Sequence, residues 1–198
     1  MRLFFIVMAL GHGLFAETAV PAGMLNQVEK RYNRAQTLQV KFIESYKQGR
    51  KAARTESGTL YLRKPGRMRW EYADPAGKLF LSDGKTFFLF SPSTGQVEKM
   101  KARETEDMRA PLAFLLGRLH FEKDFQGFSA REESGAVWIS AEPKSANLPY
   151  SKVDFLVTPD ARIRRVQVTG QDQSVLDFSF EDEKLNPPLR PELFEYRE

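Results

Sequence analysis

Few side chains of this 198-residue chain have the types and spacing that catalysis requires. The histidines are His12 and His120 alone, and there is no cysteine, so neither a histidine pair nor a thiolate is available for a metal or a nucleophile. We expect the acidic run at 181–183 to be a solvated turn at a strand end. No phosphate-binding glycine loop or Gly-x-Ser-x-Gly motif occurs. The sequence therefore predicts that the protein is not an enzyme and that it has neither a cofactor nor a metal site.

The composition argues against nucleic-acid binding and favours strands and an apolar cavity. The formal net charge is +4, which is small and scattered along the chain, so it does not indicate a nucleic-acid partner. The 16 Phe, 6 Tyr and 2 Trp form a heavy aromatic load, and aromatic side chains favour strands and apolar cavities. The length fits one domain with a sizeable core.

The first sixteen residues have the pattern of a secretory signal peptide. Arg2 supplies a positive charge, residues 3–10 are apolar, and Ala16 is a small residue before Glu17. The apolar run is too short to span a bilayer, although an uncleaved anchor is an alternative. We expect a leader at 1–16, a single mature domain at 17–198 and a periplasmic location.

After the leader, the sequence predicts two helices and eleven strands. The stretch 22–36 is amphipathic, with Leu25, Val28 and Tyr32 on one stripe. The stretch 109–119 is nearly all apolar and carries Leu112, Leu115 and Leu116. The predicted strands are 39–49, 56–63, 67–72, 77–82, 85–91, 96–101, 127–133, 136–143, 151–158, 162–170 and 173–182. The proline-rich tail from 186 is typical of a docking segment.

The strands are predicted to form one curled antiparallel sheet. Turn signals such as Pro65-Gly66 and Asp83-Gly84 indicate a meander of neighbouring strands. A sheet this long with only two helices to cover it must curl, which predicts a mainly β fold: an unclosed half-barrel of about eleven strands with a helical lid over its concave face.

Alternation predicts which side chains face inward. In the strand at 67–72, for example, Met68, Trp70 and Tyr72 share one face. The predicted wall of an apolar cavity comprises Val40, Phe42, Leu60, Leu62, Met68, Trp70, Tyr72, Phe88, Phe90, Phe155, Phe178 and Phe180. Periodicity does not distinguish such a wall from an ordinary core that the helices pack solid, so both interpretations stay open.

The densest stretch of motifs resembles the LolA family of periplasmic lipoprotein carriers. The resemblance is carried by Gly-x-Leu-x-Leu from Gly58, by Lys-Pro-Gly-Arg-Met-Arg-Trp-Glu-Tyr at 64–72, by Ser-Asp-Gly-Lys at 82–85 and by the apolar helix that follows. It covers residues 22–196 and implies a lidded half-barrel whose cavity receives the acyl chains of lipoproteins. It further implies loading from an inner-membrane ABC transporter, delivery to an outer-membrane acceptor, and a monomer.

The same resemblance implies a latch between wall and lid. The family often has arginine immediately before the proline that follows the second strand, where it holds lid backbone; here that position is Lys64, with Arg63 beside it. Lysine offers a point charge where arginine offers a planar fork, so either residue is a candidate for the latch, and both are also candidates for solvated edge charges.

Two alternatives share the half-barrel fold. One is a lipid-sensing or envelope-stress regulatory domain, which binds an acylated ligand to regulate a membrane protein. The other is the outer-membrane lipoprotein acceptor. The absence of cysteine argues against the acceptor, and the absence of a second domain argues against the usual sensor arrangement.

Overall fold

The computed structural model describes residues 18–101 and 119–196. The predicted leader and nearly all of the predicted helix at 109–119, including Leu112, Leu115 and Leu116, lie outside these ranges. Within them the chain is mainly β, with a helix α1 at Met24–Arg34 and a single-turn helix α2 at Phe121–Asp124.

Each of the eleven predicted strands is present, with ends displaced by a few residues. The observed strands are β1 Thr37–Lys47, β2 Arg54–Arg63, β3 Arg67–Asp74, β4 Leu79–Asp83, β5 Thr86–Ser91, β6 Gln96–Lys101, β7 Phe125–Glu133, β8 Ala136–Pro143, β9 Tyr150–Val157, β10 Ile163–Gly170 and β11 Val175–Leu185. Their alternation follows the sequence: in β3, Met68 and Trp70 are buried while Arg69 and Glu71 are not.

All strands join one antiparallel sheet in the order β6-β5-β4-β3-β2-β1-β11-β10-β9-β8-β7. It consists of two meanders, β1–β6 and β7–β11, which meet where β1 pairs with β11. The two ends, β6 and β7, are not paired to each other, so the sheet is not closed. The predicted unclosed half-barrel is confirmed.

Curling of the sheet brings both meanders into one hydrophobic core. A single buried cluster runs from Phe87 on β5 to Ala130 on β7, and it includes Val28 and Tyr32 of α1. Because these strands lie near opposite ends of the sheet order, one cluster can include both only if the concave face folds around α1.

The backbones of β2 and β3 come close together at Gly58. The strand register shifts between Ser57 and Gly58. A Cβ atom at Gly58 would lie 2.1 Å from the carbonyl oxygen of Glu71, which leaves no room for any other residue. This glycine opens the Gly-x-Leu-x-Leu motif.

The C-terminal tail covers part of the convex face. A 3-10 helix at Pro191–Phe194 places Phe194 at 1% exposure, and the ring of Tyr196 stacks on Phe88 with centroids 4.8 Å apart. The Arg69 guanidinium donates to the carbonyl oxygen of Leu193 over 3.5 Å. Beneath the tail lies a hollow of about 650 Å³, lined in part by Leu79. The tail packs on its own sheet, as expected of a docking segment.

Candidate functional site

The centre of the concave face is a set of packed aromatic rings, which we call the aromatic floor: Phe42, Trp70, Tyr72, Phe178 and Phe180. The Phe42 ring meets Trp70 and Tyr72 edge-on, with centroids 4.8 and 5.2 Å apart. Trp70 reaches Phe178 across 5.9 Å, and Phe178 stacks with Phe180. Such ring pairs contribute about 0.5–1.5 kcal/mol each beyond the area they bury. The floor spans β1, β3 and β11, so it crosses the junction of the two meanders.

Ten of the twelve predicted wall residues lie on this concave face. Tyr72 is partly buried, and nine are fully buried in the same cluster: Val40, Phe42, Leu60, Leu62, Met68, Trp70, Phe155, Phe178 and Phe180. Their close packing agrees with the ordinary-core interpretation as well as with a cavity that opens when a ligand enters. Acyl-chain binding by these residues stays a prediction.

Phe88 and Phe90 lie on the other face of the sheet, which corrects their assignment to the wall. In β5 the inward residue is Phe87, which is 1% exposed and lies opposite Ser82. Phe88 lies opposite Leu81 and stacks on Tyr196 of the tail, and Phe90 lies opposite Leu79. The run Phe-Phe-Leu-Phe is apolar on both faces because the tail covers the convex side, so alternation could not identify the inward one.

Helix α1 provides the described part of the lid. Val28 and Tyr32 are buried against the concave face, and Leu25 packs at the margin of the cluster. The hydroxyl of Tyr32 accepts a hydrogen bond from the amide of Ile163 at 2.9 Å and donates to Glu183 at 2.7 Å. These bonds tie the helix to β10 and β11 as well as to the core.

The acidic run at 181–183 is divided between two environments. Asp182 is exposed and pairs with Lys41, as expected of a solvated turn. The expectation is wrong for Glu183, whose side chain is 4% exposed and accepts a hydrogen bond of 2.6 Å from Arg31 on α1. A positive φ of 52° at Asp182 disrupts the alternation, so Glu183 turns inward toward the helix.

The side chain of α1 residue Asn33 connects the helix to the chain that follows residue 118. Its amide nitrogen donates to the carbonyl oxygen of Leu119 at 2.8 Å, and its amide oxygen accepts from the backbone nitrogen of Leu119 at 3.0 Å. One turn earlier, Glu29 accepts from the backbone nitrogen of Phe121 at 2.7 Å. The helix therefore anchors this segment as well as the wall.

Lys64 and Arg63, the two candidates for the latch, point to different partners. The Lys64 ammonium donates to the carbonyl oxygens of Tyr32 at 3.3 Å and Asn33 at 2.6 Å, at the C-terminal end of α1. A cation is favoured there by the helix dipole, although burial lowers the pKa of Lys64. Arg63 donates instead to Leu189 of the tail over 3.3 Å. In this structure Lys64 is the residue that contacts lid backbone.

A polar cluster lies at the edge of the aromatic floor, and the sequence analysis did not predict it. Glu44 faces inward from β1 and lies directly opposite Glu56 of β2, which is 7% exposed. Lys78 forms an ion pair with Glu56 and lies 4.3 Å from the centre of the Tyr72 ring. The guanidinium of Arg54 also belongs to this cluster, with its Nε atom 3.3 Å from a carboxylate oxygen of Glu56. Strand alternation could have predicted the inward position of Glu44, because it lies two residues after Phe42 and four after Val40.

Neither a metal centre nor a membrane-spanning helix is found in residues 18–101 and 119–196. These ranges contain no group of three or more histidine, cysteine or carboxylate side chains placed to hold a metal ion. No helix within them is long and apolar enough to cross a membrane.

The fold and the site together define an unclosed antiparallel half-barrel with an aromatic inner face. The chain belongs to the LolA family, described as outer membrane lipoprotein carrier protein, whose family model matches residues 33–197. The function that this description gives is carriage of lipoproteins, not catalysis of a reaction.

Individual relatives agree with this family assignment. The chain is 31% identical over 134 residues to an outer-membrane lipoprotein carrier protein of Dechloromonas aromatica, covering 67% of this chain and 64% of that one. It is 25% identical over 184 residues to the carrier protein of Nitrosospira multiformis, covering 92% of this chain and 88% of that one. The crystal structure of the Mycobacterium tuberculosis lipoprotein LppX is similar in fold alone, with a TM-score of 0.51 at 9% identity over 86% of this chain and 99% of that one.

Proposed function

We propose that this protein carries lipoproteins across the periplasm by holding their acyl chains against the aromatic floor. The observation that carries the proposal is the floor itself, an apolar surface that spans the junction of the two meanders and lies on the same face as the buried side of α1. Membership of the lipoprotein carrier family supports it.

Transfer energies explain why such a surface is useful. Exposing one acyl methylene to water costs roughly 0.8 kcal/mol, so a lipoprotein with several chains does not leave a membrane unaided. Moving the same chains from the bilayer to an apolar protein surface is close to neutral. The carrier removes the aqueous barrier, and direction comes from its partners. We propose that these are an inner-membrane ABC transporter, which loads the carrier, and an outer-membrane acceptor, which receives the cargo from a monomeric carrier.

Loading requires α1 and the floor to separate. In the structure Val28 and Tyr32 of α1 occupy the concave face, so acyl chains would replace contacts that the helix makes. The Lys64 ammonium resists this movement because it holds the C-terminal end of α1 to the end of β2. We propose that Lys64, not Arg63, has the latch role.

Tryptophan fluorescence offers a direct test, because the chain has two tryptophans on opposite faces of the sheet. Trp70 lies in the floor, whereas Trp138 lies on the convex face beside Arg165. The Trp138→Phe variant reports on Trp70, and the matched Trp70→Phe variant reports on Trp138. A diacylated peptide with brominated acyl chains quenches a tryptophan that its chains contact.

We expect saturable quenching of Trp70 and little change at Trp138. Quenching confined to Trp138 would place the ligand on the convex face. Absence of saturable quenching in both variants, while each retains its folded circular dichroism spectrum, would refute acyl-chain binding.

A further inference from the structure

Glu44 is an anomaly on the concave face because it places a carboxyl group on an apolar surface. It follows Val40 and Phe42 on the inward side of β1, and its cross-strand neighbour on β11 is Phe178. Phe42 and Phe178 both belong to the aromatic floor. The carboxyl group is partly buried there, so it loses some of its hydration, which has a cost in free energy.

The cations near Glu44 are engaged by its neighbour. Lys78 and Arg54 both form ion pairs with Glu56. Glu44 instead interacts with the Tyr72 hydroxyl of the aromatic floor. In the described ranges, 18–101 and 119–196, no lysine or arginine forms an ion pair with Glu44, although every other charged member of the cluster has a partner of opposite sign.

The local electrostatics favour a further positive charge beside Glu44. Burial, and then the charge of Glu56, raise the pKa of Glu44, while Lys78 and Arg54 oppose the shift. Phe178 on β11 has no charge with which to compensate. A cation that reached Glu44 from the floor would offset both causes of the shift.

We propose that Glu44 binds the amino group of an acylated ligand whose chains lie on the aromatic floor. The inference rests on the proposed function, since the acyl chains bring the amino group to this edge. The matching chemistry is an ammonium group close to two acyl chains. A diacylated N-terminal cysteine with an unmodified α-amino group has this chemistry, and an ethanolamine phospholipid has it too. N-acylation of the cysteine removes the charge, so Glu44 would make the carrier discriminate between cargo with a free and a blocked amino terminus.

The test compares ligands that differ only at the amino group. The probes are a peptide with an N-terminal S-(2,3-dipalmitoyloxypropyl)cysteine, the same peptide N-acetylated, and dioleoylphosphatidylethanolamine beside its N-acetyl form. Dissociation constants are measured from Trp70 fluorescence in the Trp138→Phe background. Glu44→Gln keeps the size and removes the charge. The matched control is Glu181→Gln, at an exposed carboxylate whose cross-strand neighbour is Lys41.

We expect the free-amine peptide to bind about tenfold more tightly than its acetylated form, the effect of one partly desolvated ion pair. Glu44→Gln should abolish this preference by weakening only the free-amine peptide, and Glu181→Gln should preserve it. A Glu44-dependent preference within the phospholipid pair alone would support the amine site and assign it to a phospholipid. Equal binding within both pairs would overturn the inference while leaving the proposed function intact. If no probe binds, the proposed function fails and this inference fails with it.

Discussion

Replacing Lys64 tests whether its ammonium fastens α1 to the wall. The change is Lys64→Met, which keeps a long apolar chain and removes the donor. It loses a hydrogen bond of 2.6 Å to the carbonyl oxygen of Asn33 and a longer one of 3.3 Å to Tyr32. A hydrogen bond to a charged group contributes about 1.5–3 kcal/mol, and the cation at a helix C-terminus adds about 0.3–1 kcal/mol.

Desolvation reduces this gain. Burial lowers the pKa of Lys64, so the folded protein holds its ammonium at a cost that methionine does not incur. We therefore expect a net loss of about 1–2 kcal/mol in the free energy of unfolding. In a domain of this size each kcal/mol lowers Tm by roughly 2–4 °C, which gives a fall of about 2–8 °C.

The assay is thermal unfolding by circular dichroism, with hydrogen exchange to locate the effect. Faster exchange at residues 30–35 would show that the end of α1 has loosened. The matched control is Arg63→Met, which loses one bond of 3.3 Å to the tail and should cost about 0.5 kcal/mol. Lys64→Arg should behave like the parent. An equal fall in Tm for Arg63→Met and Lys64→Met, or an unchanged Tm for Lys64→Met, would show that the Lys64 ammonium does not fasten α1 to the wall.

Two further predictions concern Glu44 and the tail. Because the pKa of Glu44 is raised on folding, the folded state binds more protons than the unfolded chain between the two pKa values, so this group lowers stability as the pH rises through that window. Glu44→Gln should therefore be more stable than the parent at pH 7.5 in urea unfolding, and the gain should shrink toward pH 4; a variant less stable than the parent at pH 7.5 contradicts this. Phe194→Ala removes a fully buried ring and should cost about 3 kcal/mol, against less than about 1.5 kcal/mol for the half-buried Leu193→Ala. An unchanged urea midpoint for Phe194→Ala would show that the tail adds no stability.

Local patterns in the sequence were enough to predict the strands of the sheet. Alternation identified the inward residues where one face of a strand is polar, as in β3, where Met68 and Trp70 alternate with charged side chains. Turn residues identified the hairpins; Gly66 and Gly84, for example, adopt the positive φ that glycine tolerates. These features depend on neighbouring residues only, which is why they can be predicted from the sequence.

Features that depend on distant segments could not be predicted in this way. The inward face of β5 depends on a tail about a hundred residues later, and without that contact Phe87 and Phe88 are equivalent. The burial of Glu183 depends on Arg31 and Tyr32, which lie at the other end of the chain. The pairing of Glu44 with Glu56 is a local hairpin contact, but its charge balance depends on Lys78 from beyond β3.

The junction of the two meanders has a consequence for the order of folding. Leu38 pairs with Leu185, so the centre of the sheet joins the first and the last of the strands found in residues 18–101 and 119–196. A chain that is synthesised amino terminus first can form β1–β6 early, but one edge of β1 then remains unpaired until β11 arrives. During that interval the inward residues of β1 lack their neighbours on β11, and the strand is open to pairing with another chain. We therefore expect closure of this junction to be the slow step of folding, and the unfinished amino-terminal half to be the species most prone to aggregate.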